Sequence, residues 1–254
     1  MLKKIEKFFK LRLSEIMLLV KDVIFTNEDE NITRIIRFIK KLKAENRNAS
    51  LILDIGAFDG MTSIRLSKAF PNYKTLAFEP NKMAFDLARK NCQAYKNIVL
   101  YNVALSDKSG EAELNVTENQ VSSSLHQINR EAIVSSQQHE LSVVKKAKVG
   151  TQPLDELNIE EEILLLKIDV QGHEKEVLSG GRNTLKKVYC ILVEMNNHNI
   201  YFGSSKYYEV DLWLRENNFE LADIIVTSRK DGLFVTEYDA IYINRSRFPE
   251  LCNK

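Results

Sequence analysis

Between residues 3 and 24 the apolar side chains Ile5, Phe9, Leu13, Ile16, Val20 and Ile24 recur at three- and four-residue steps, the spacing that lines one face of a helix. Lys3, Lys4, Lys7, Lys10 and Arg12 crowd the first half of that stretch. A second amphipathic helix is predicted from about Asn31 to Ala44, with Ile32, Ile35, Ile36, Ile39 and Leu42 facing inward. From residue 50 the texture changes to short apolar runs that alternate with helical patterns. LILDI (51–55), KTLAFE (74–79), NIVLYNVAL (97–105), EILLLKID (162–169) and VYCILVE (188–194) read as strands. MTSIRLSKAF (61–70), NKMAFDLARKNCQAY (81–95), EKEVLSGGRNTLKK (174–187) and KYYEVDLWLRENN (206–218) read as helices. Such alternation predicts an α/β fold, a mostly parallel sheet with helices on both faces, and strands this rich in Val, Ile and Leu suit burial on both sides. FELADIIV and FVTEYDAIYIN, joined by a turn at Arg229 to Gly232, close the chain as a hairpin that puts an antiparallel strand beside the parallel ones. Residues 110–153 break the rhythm with short extended pieces around a polar patch and are expected to be an insertion near the site.

Domain organisation follows from what is absent. Only four prolines occur in 254 residues, none clustered, and no Gly/Ser-rich tract interrupts the chain. The expectation is an N-terminal helical extension over residues 1–49 and one main domain over residues 50–254. With 36 basic and 35 acidic residues the net charge is +1, which excludes the strong basic excess of a nucleic-acid binder. Cys92, Cys190 and Cys252 fit neither a disulfide framework nor a CxxC metal site, so a reducing, cytoplasmic setting is expected. The uncharged run Ile16 to Val20 is too short for a signal peptide core or a membrane span. Three readings of the N-terminal helices stay open: caps on the main domain, a homodimer contact, or peripheral docking of the basic residues 1–25 on an anionic membrane.

Candidate chemistry begins at LILDIGAFDG (51–60). In open parallel sheets ligands bind at the carboxyl ends of strands where the strand order reverses, and Asp54 to Gly60 ends the first predicted strand. Gly56 permits a tight turn with close approach of a ligand, and Gly60 opens the next helix. The D-x-G-x-x-x-G spacing differs from the dinucleotide fingerprint G-x-G-x-x-G, which presents bare N–H groups to a pyrophosphate; Asp54 and Asp59 would repel one. Acids here suit a ligand with a positive charge, an amine and ribose hydroxyls, as S-adenosylmethionine has. Glu79, ending the second strand, is placed to accept ribose hydroxyl protons, although NAD-binding folds put an acid there too. The bland reading of Asp54 and Asp59 is that they cap the following helix.

DIGAFDGMTS, AFEPN, NVALSDKSGEAEL, SSSL, TQPLDEL and LLLKIDVQGHEKEVLSGG, in that order, resemble the FkbM-type methyltransferases from about residue 50 to residue 245. The resemblance implies a class I, Rossmann-like S-adenosylmethionine-dependent O-methyltransferase acting on hydroxyls of sugars, glycans or secondary metabolites. One departure is visible: where the family usually reads TLD, this chain has Thr151-Gln-Pro-Leu-Asp155.

On that reading Asp54, Gly56, Ala57, Asp59, Gly60, Glu79 and Pro80 are cofactor-binding candidates, joined by Asn102 and Ala104, where this fold usually presents amide and backbone groups to the adenine ring. The fourth strand delivers Lys167 and Asp169 to the carboxyl edge on one face, and Gln171 to Glu174 turn into the next helix. Asp169 is the first choice at the reacting centre and His173 the alternative base. Lys167 either orients substrate or balances buried acids; Glu174 either serves the site or favours a helix N-terminus. Ser122 to Ser124, Tyr201, Phe202, Tyr207 and Tyr208 would line an acceptor, unless the aromatics are core. A divalent metal on Asp169, Glu174 and Glu194 is chemically reasonable but not favoured, and His126, His139 and His198 show no ligand spacing with the cysteines. Two other functions compete: an NAD-dependent dehydrogenase or epimerase, and a non-catalytic binding module.

Overall fold

A computed structural model describes residues 27–42, 44, 48–118, 122–129, 142–197 and 200–252. The helical pattern at residues 3–24, with its membrane and dimer readings, lies outside the described residues, as do His139 and His198.

A seven-stranded sheet organises the molecule, in the order β3 (Ile98–Tyr101), β2 (Lys74–Phe78), β1 (Leu51–Ile55), β7 (Ile163–Ile168), β8 (Val188–Asn196), β10 (Phe234–Asn244), β9 (Phe219–Lys230). β10 runs antiparallel to both neighbours, and the strands from β3 to β8 pair in parallel. The chain leaves β1 toward β2 and β3 and returns on the other side as β7, so the strand order reverses between β1 and β7. Every residue of β1 and β7 is buried, as their unbroken apolar runs require for strands covered on both faces.

The helix α1 (Asn27–Lys41) belongs to the same body. Its stripe Ile32, Ile35 and Ile39 is buried in a core that also contains Phe70, Tyr73, Leu164, Tyr189 and Ile243. At its edges Arg34 pairs with Asp223 at 2.8 Å, and the Asn31 amide donates to Asp239 at 2.8 Å. α2 (Met61–Ala69) and α3 (Lys82–Cys92) follow β1 and β2 as the periodicity predicts. Asn81 caps α3, its side chain accepting from the Met83 N–H. α5 (Tyr207–Glu216) precedes the closing hairpin β9–β10, and α6 (Pro249–Cys252) ends the described chain.

Two predicted elements divide. NIVLYNVAL is two strands, β3 and then β4 (Ala104–Ser106), which lie in different sheets. The break falls at Asn102, whose side-chain amide donates to the backbone carbonyls of Glu79 at 2.8 Å and Pro80 at 3.0 Å. EKEVLSGGRNTLKK is a six-residue helix α4 (Glu174–Ser179) and a 3-10 turn (Thr184–Lys187). Gly180 lies so close to the Ser106 carbonyl oxygen that no side chain fits between them. Asp155 then takes the N–H groups of Asn183 and Thr184, restarting the chain in a new direction. The predicted insertion supplies two strands of a three-stranded sheet, β4–β6–β5, in which β6 (Val143–Pro153) pairs antiparallel with β5 (Gly110–Thr117) and parallel with β4, which precedes the insertion. No helix among the described residues is long and apolar enough to cross a membrane.

Ile35→Ala tests whether α1 is part of the main core. Ile35 is fully buried, and truncation is expected to cost about 2–5 kcal/mol, read as a lower midpoint in denaturant unfolding. An unchanged midpoint would mean the helix is not docked in solution.

Candidate active site

At the carboxyl edge, β1 runs into a turn that the backbone at Gly56 makes possible. Gly56 has φ 79°, and a Cβ there would run into the carbonyl oxygen of Asp169, so the β1 and β7 turns touch through bare backbone. Phe58 also has positive φ, at 47°, and Gly60 turns the chain into α2. The Asp59 carboxylate accepts from the Met61 N–H at 3.0 Å, occupying the first turn of α2 with a negative group.

Beneath this turn lies a buried ion cluster. Lys167, directly across from Asp54 in the β1–β7 register, is 5 % exposed. Its Nζ donates to the Gly56 carbonyl at 3.1 Å and lies 3.4 Å from both Asp54 Oδ1 and Asp169 Oδ2. Asp54 is fully buried, and its other oxygen accepts from Ser63 Oγ at 2.6 Å. One ammonium thus ties the first strand, its glycine turn and the acid of the β7 turn.

A cavity of about 340 Å³ opens above. Its walls come from the β1–α2 turn, from Glu79 and Pro80 after β2, from Ala104, from Leu114, Ser123 and Leu125 of the inserted region, and from Asp169, Gln171 and His173 after β7. Of the predicted site residues, Gly56, Ala57, Asp59, Glu79, Pro80, Ala104, Asp169 and His173 converge on it. Asp54, Gly60, Asn102, Lys167 and Glu174 do not line it: Asp54 and Lys167 lie below, Gly60 packs on Ala88 and Cys92, and Asn102 clamps the Glu79–Pro80 backbone. Glu174 is buried and accepts from the N–H groups of Gly172 at 3.0 Å and Val170 at 3.3 Å, fixing the turn from inside. Sequence reasoning missed the apolar lining at Phe58, Met61, Leu114 and Leu125, which reads as core until the topology is known.

Of the acids lining the cavity, Asp59, Glu79 and Asp169, the buried one is Glu79. One oxygen accepts from the Phe58 N–H at 2.9 Å and the other from the Asn81 N–H at 2.7 Å. Burial raises its pKa to about 7, against these two hydrogen bonds and the charge of Lys167. A carboxylate has about four lone-pair sites, so further acceptor capacity remains on the side facing the cavity. Those acceptor sites fit the hydroxyl donors of a ribose such as that of S-adenosylmethionine.

Asp169 faces the cavity with a side chain 27 % exposed. Gln171, held at φ 55°, donates one amide group to Asp169 at 2.9 Å and to Glu194 at 2.8 Å, and accepts from the Tyr201 hydroxyl at 2.9 Å. Tyr201 is buried, whereas Phe202, Tyr207 and Tyr208 are exposed. Behind Asp169 the carboxyls of Glu174 and Asp239 are pushed up to about 7 by burial, and burial raises those of Glu194 and Glu237 as well. His173 is buried; its Nε2 is hydrogen-bonded to Ser106 Oγ at 2.9 Å and its Nδ1 to His126 Nε2 at 3.1 Å. Desolvation, then the nearby His126, lowers its pKa to about 4, so the ring is neutral near pH 7.

A sheet in this order, with one antiparallel strand inside the far edge and an acid-lined cavity where the order reverses, defines an α/β fold of the class I methyltransferase type. Residues 54–221 match the methyltransferase FkbM domain, and the chain belongs to that family. It is 30% identical over 163 residues to the 2-O-methyltransferase NoeI of Sinorhizobium fredii, covering 60% of this chain and 66% of NoeI. It is 28% identical over 163 residues to the hexuronic acid methyltransferase AglP of Haloferax volcanii, covering 62% of this chain and 61% of AglP. The match thus spans just under two thirds of either relative's length. Among solved structures, the Methanococcus jannaschii fibrillarin pre-rRNA processing protein superimposes with a TM-score of 0.46 at 14% identity, over 78% of this chain and 67% of that one.

Lys167→Met leaves Asp54 and Asp169 without their shared ammonium. The expected loss is about 3–5 kcal/mol, the usual cost of stranding a buried charge. Adding Asp54→Asn should restore part of it, since the stranded charge is then removed. Equal stability of Lys167→Met and the parent in urea would show that the ion cluster holds nothing together.

Proposed function

We propose that the chain is an S-adenosylmethionine-dependent O-methyltransferase whose acceptor is a hydroxyl of a sugar, glycan or secondary metabolite. The observation that weighs most is the pairing of Glu79 with Asp59 across one cavity. Glu79 offers carboxylate acceptor sites for ribose hydroxyls, while Asp59 occupies the helix start where a dinucleotide would need free N–H groups for its pyrophosphate. This favours a cationic sulfonium nucleoside over NAD, and thus a methyltransferase over a dehydrogenase or epimerase. The names of NoeI and AglP support a sugar-type acceptor. Three free cysteines, with the Cys92 thiol pushed up to about 11 by burial, suit a reducing compartment such as the cytoplasm.

The bound cofactor supplies a methyl group activated for in-line displacement by the acceptor oxygen, leaving the thioether. Gly56, Ala57 and Pro80 would give backbone approach and Glu79 would hold the ribose, with Ala104 and Leu125 in the same cavity lining. We assign to Asp169 the orienting of the acceptor hydroxyl and the uptake of its proton, a role supported by its facing the cavity while Lys167 and Gln171 hold its two oxygens. His173 suits that role less, since both ring nitrogens are already engaged. Its neutral ring instead packs the wall. The exposed aromatics Phe202, Tyr207 and Tyr208, which follow β8, offer apolar faces, and the two tyrosines add polar hydroxyls, a surface suited to a sugar.

Calorimetry with S-adenosylhomocysteine tests the cofactor reading. At a hundredfold excess over Kd, binding should stabilise the protein by about 2.7 kcal/mol. Because the ribose needs Glu79 ionised and its pKa in the free protein is about 7, the proton competes with the ligand at low pH. Affinity should therefore be about tenfold weaker at pH 6 than at pH 8, and Glu79→Ala should weaken binding and abolish that dependence. Saturation by NAD with no heat from the thioether nucleoside would replace this reading by the dehydrogenase.

Asp169→Asn separates chemistry from binding. Methyl transfer to an acceptor identified by radiolabel should fall by about 100-fold or more, with S-adenosylhomocysteine affinity retained. Full turnover in the variant would remove Asp169 from its role.

A further inference from the structure

Three atoms suited to ligating a metal converge around His173, which lines the cavity. His126 Nε2 is 3.1 Å from His173 Nδ1, Glu176 Oε2 is 3.7 Å from His173 Nδ1, and all three lie within 4.8 Å of one another. A tetrahedral site with legs of about 2.1 Å has ligand–ligand edges of about 3.4 Å, so the two shorter separations bracket the value a zinc-sized ion would set.

Hydrogen bonding alone leaves this cluster incomplete. A bond between the two imidazoles uses one proton, and Glu176 Oε2, shut off from solvent, has no hydrogen-bond donor. A cation in the triangle gives that oxygen a partner and both ring nitrogens a use for their lone pairs. The remaining nitrogen of His173 meets Ser106 Oγ at 2.9 Å, the kind of contact that fixes the tautomer and orientation of a metal-bound imidazole. Glu176 also borders a shallow polar cleft of about 260 Å³ with Gly203, Ser204 and Glu209.

We propose that His126, His173 and Glu176 form a divalent-metal site of the zinc type, with three protein ligands and a fourth position for a water molecule. Mixed imidazole and carboxylate donors suit zinc and its borderline neighbours better than magnesium or calcium, which prefer all-oxygen shells. The ion fastens residues 122–129 to α4. Since Ser123 and Leu125 of that segment line the cavity, the metal acts as a positioning element for one wall and takes no part in methyl transfer. The inference is independent of the cofactor reading, because its measurements need neither donor nor acceptor.

The full chain, stripped with chelator and dialysed, would be titrated with Co²⁺ and then Zn²⁺. One equivalent of Co²⁺ should produce a visible d–d absorption band of tetrahedral intensity, Zn²⁺ should displace it stoichiometrically, and Zn²⁺ should raise the melting temperature. His126→Ala and the near-isosteric Glu176→Gln, each verified as folded by circular dichroism, should lose the band and weaken Zn²⁺ binding by at least about tenfold. Absence of a saturable one-to-one band in folded protein would overturn the site. So would a band and affinity unchanged in Glu176→Gln and His126→Ala, which would assign the metal to other residues.

Discussion

The architecture of the site depends on one buried ammonium group. Lys167 is the cation between the carboxylate of Asp54 in β1 and that of Asp169 in the turn after β7, and it also holds the Gly56 carbonyl. Removed from water, such a group is tolerated only when its charge and donors are met, and here they are met by the strand end, the glycine turn and the acid facing the cavity. β1 and β7 are adjacent through their ladder; Lys167 makes their carboxyl ends adjacent as well. The register that sets Asp54 opposite Lys167 is therefore a condition for the site and not only for the sheet.

Above that tie, burial sets the protonation of the groups around it. Glu79 and Glu174 sit near neutrality for the same cause, desolvation, but have different partners. Glu79 faces the cavity with acceptor capacity to spare, while Glu174 is enclosed and spends its oxygen on two backbone N–H groups. Gln171 joins the outer members, Asp169, Glu194 and Tyr201, into one hydrogen-bonded set. Its strained backbone is held by the Ser124 hydroxyl, which donates to the Gln171 carbonyl at 2.6 Å. The inserted region thus reaches the reacting edge through hydrogen bonds as well as through the cavity wall.

Strand and helix order, the carboxyl-edge location and the acid at the end of β2 were legible because each leaves a local trace: an apolar run, a glycine turn, an acid at a strand end. The split of residues 97–105 was not, since the apolar pattern continues while Asn102 turns to bond a different strand's carbonyls. The helix read across 174–187 failed for a similar reason, as the obstacle at Gly180 is the Ser106 backbone, far away in sequence. At the site, spacing put Asp54 and Lys167 at the right edge but gave no sign that they point at each other. The contact between His126 and His173, 47 residues apart, left no trace in spacing at all. Periodicity reports which face is buried; it does not report which partner a polar group finds there.

The contact between Gly56 and the Asp169 carbonyl leaves no slack between the two central turns. Variation that altered either would have to pass through both, so this half of the protein is under joint constraint. The turn around Gly232 between β9 and β10 faces no such restriction: a Cβ at Gly232 would meet nothing within 4 Å, and lengthening a surface loop costs only slowly with each added residue. Insertions across relatives should therefore accumulate in open turns of this kind, while the paired central turns are reused unchanged.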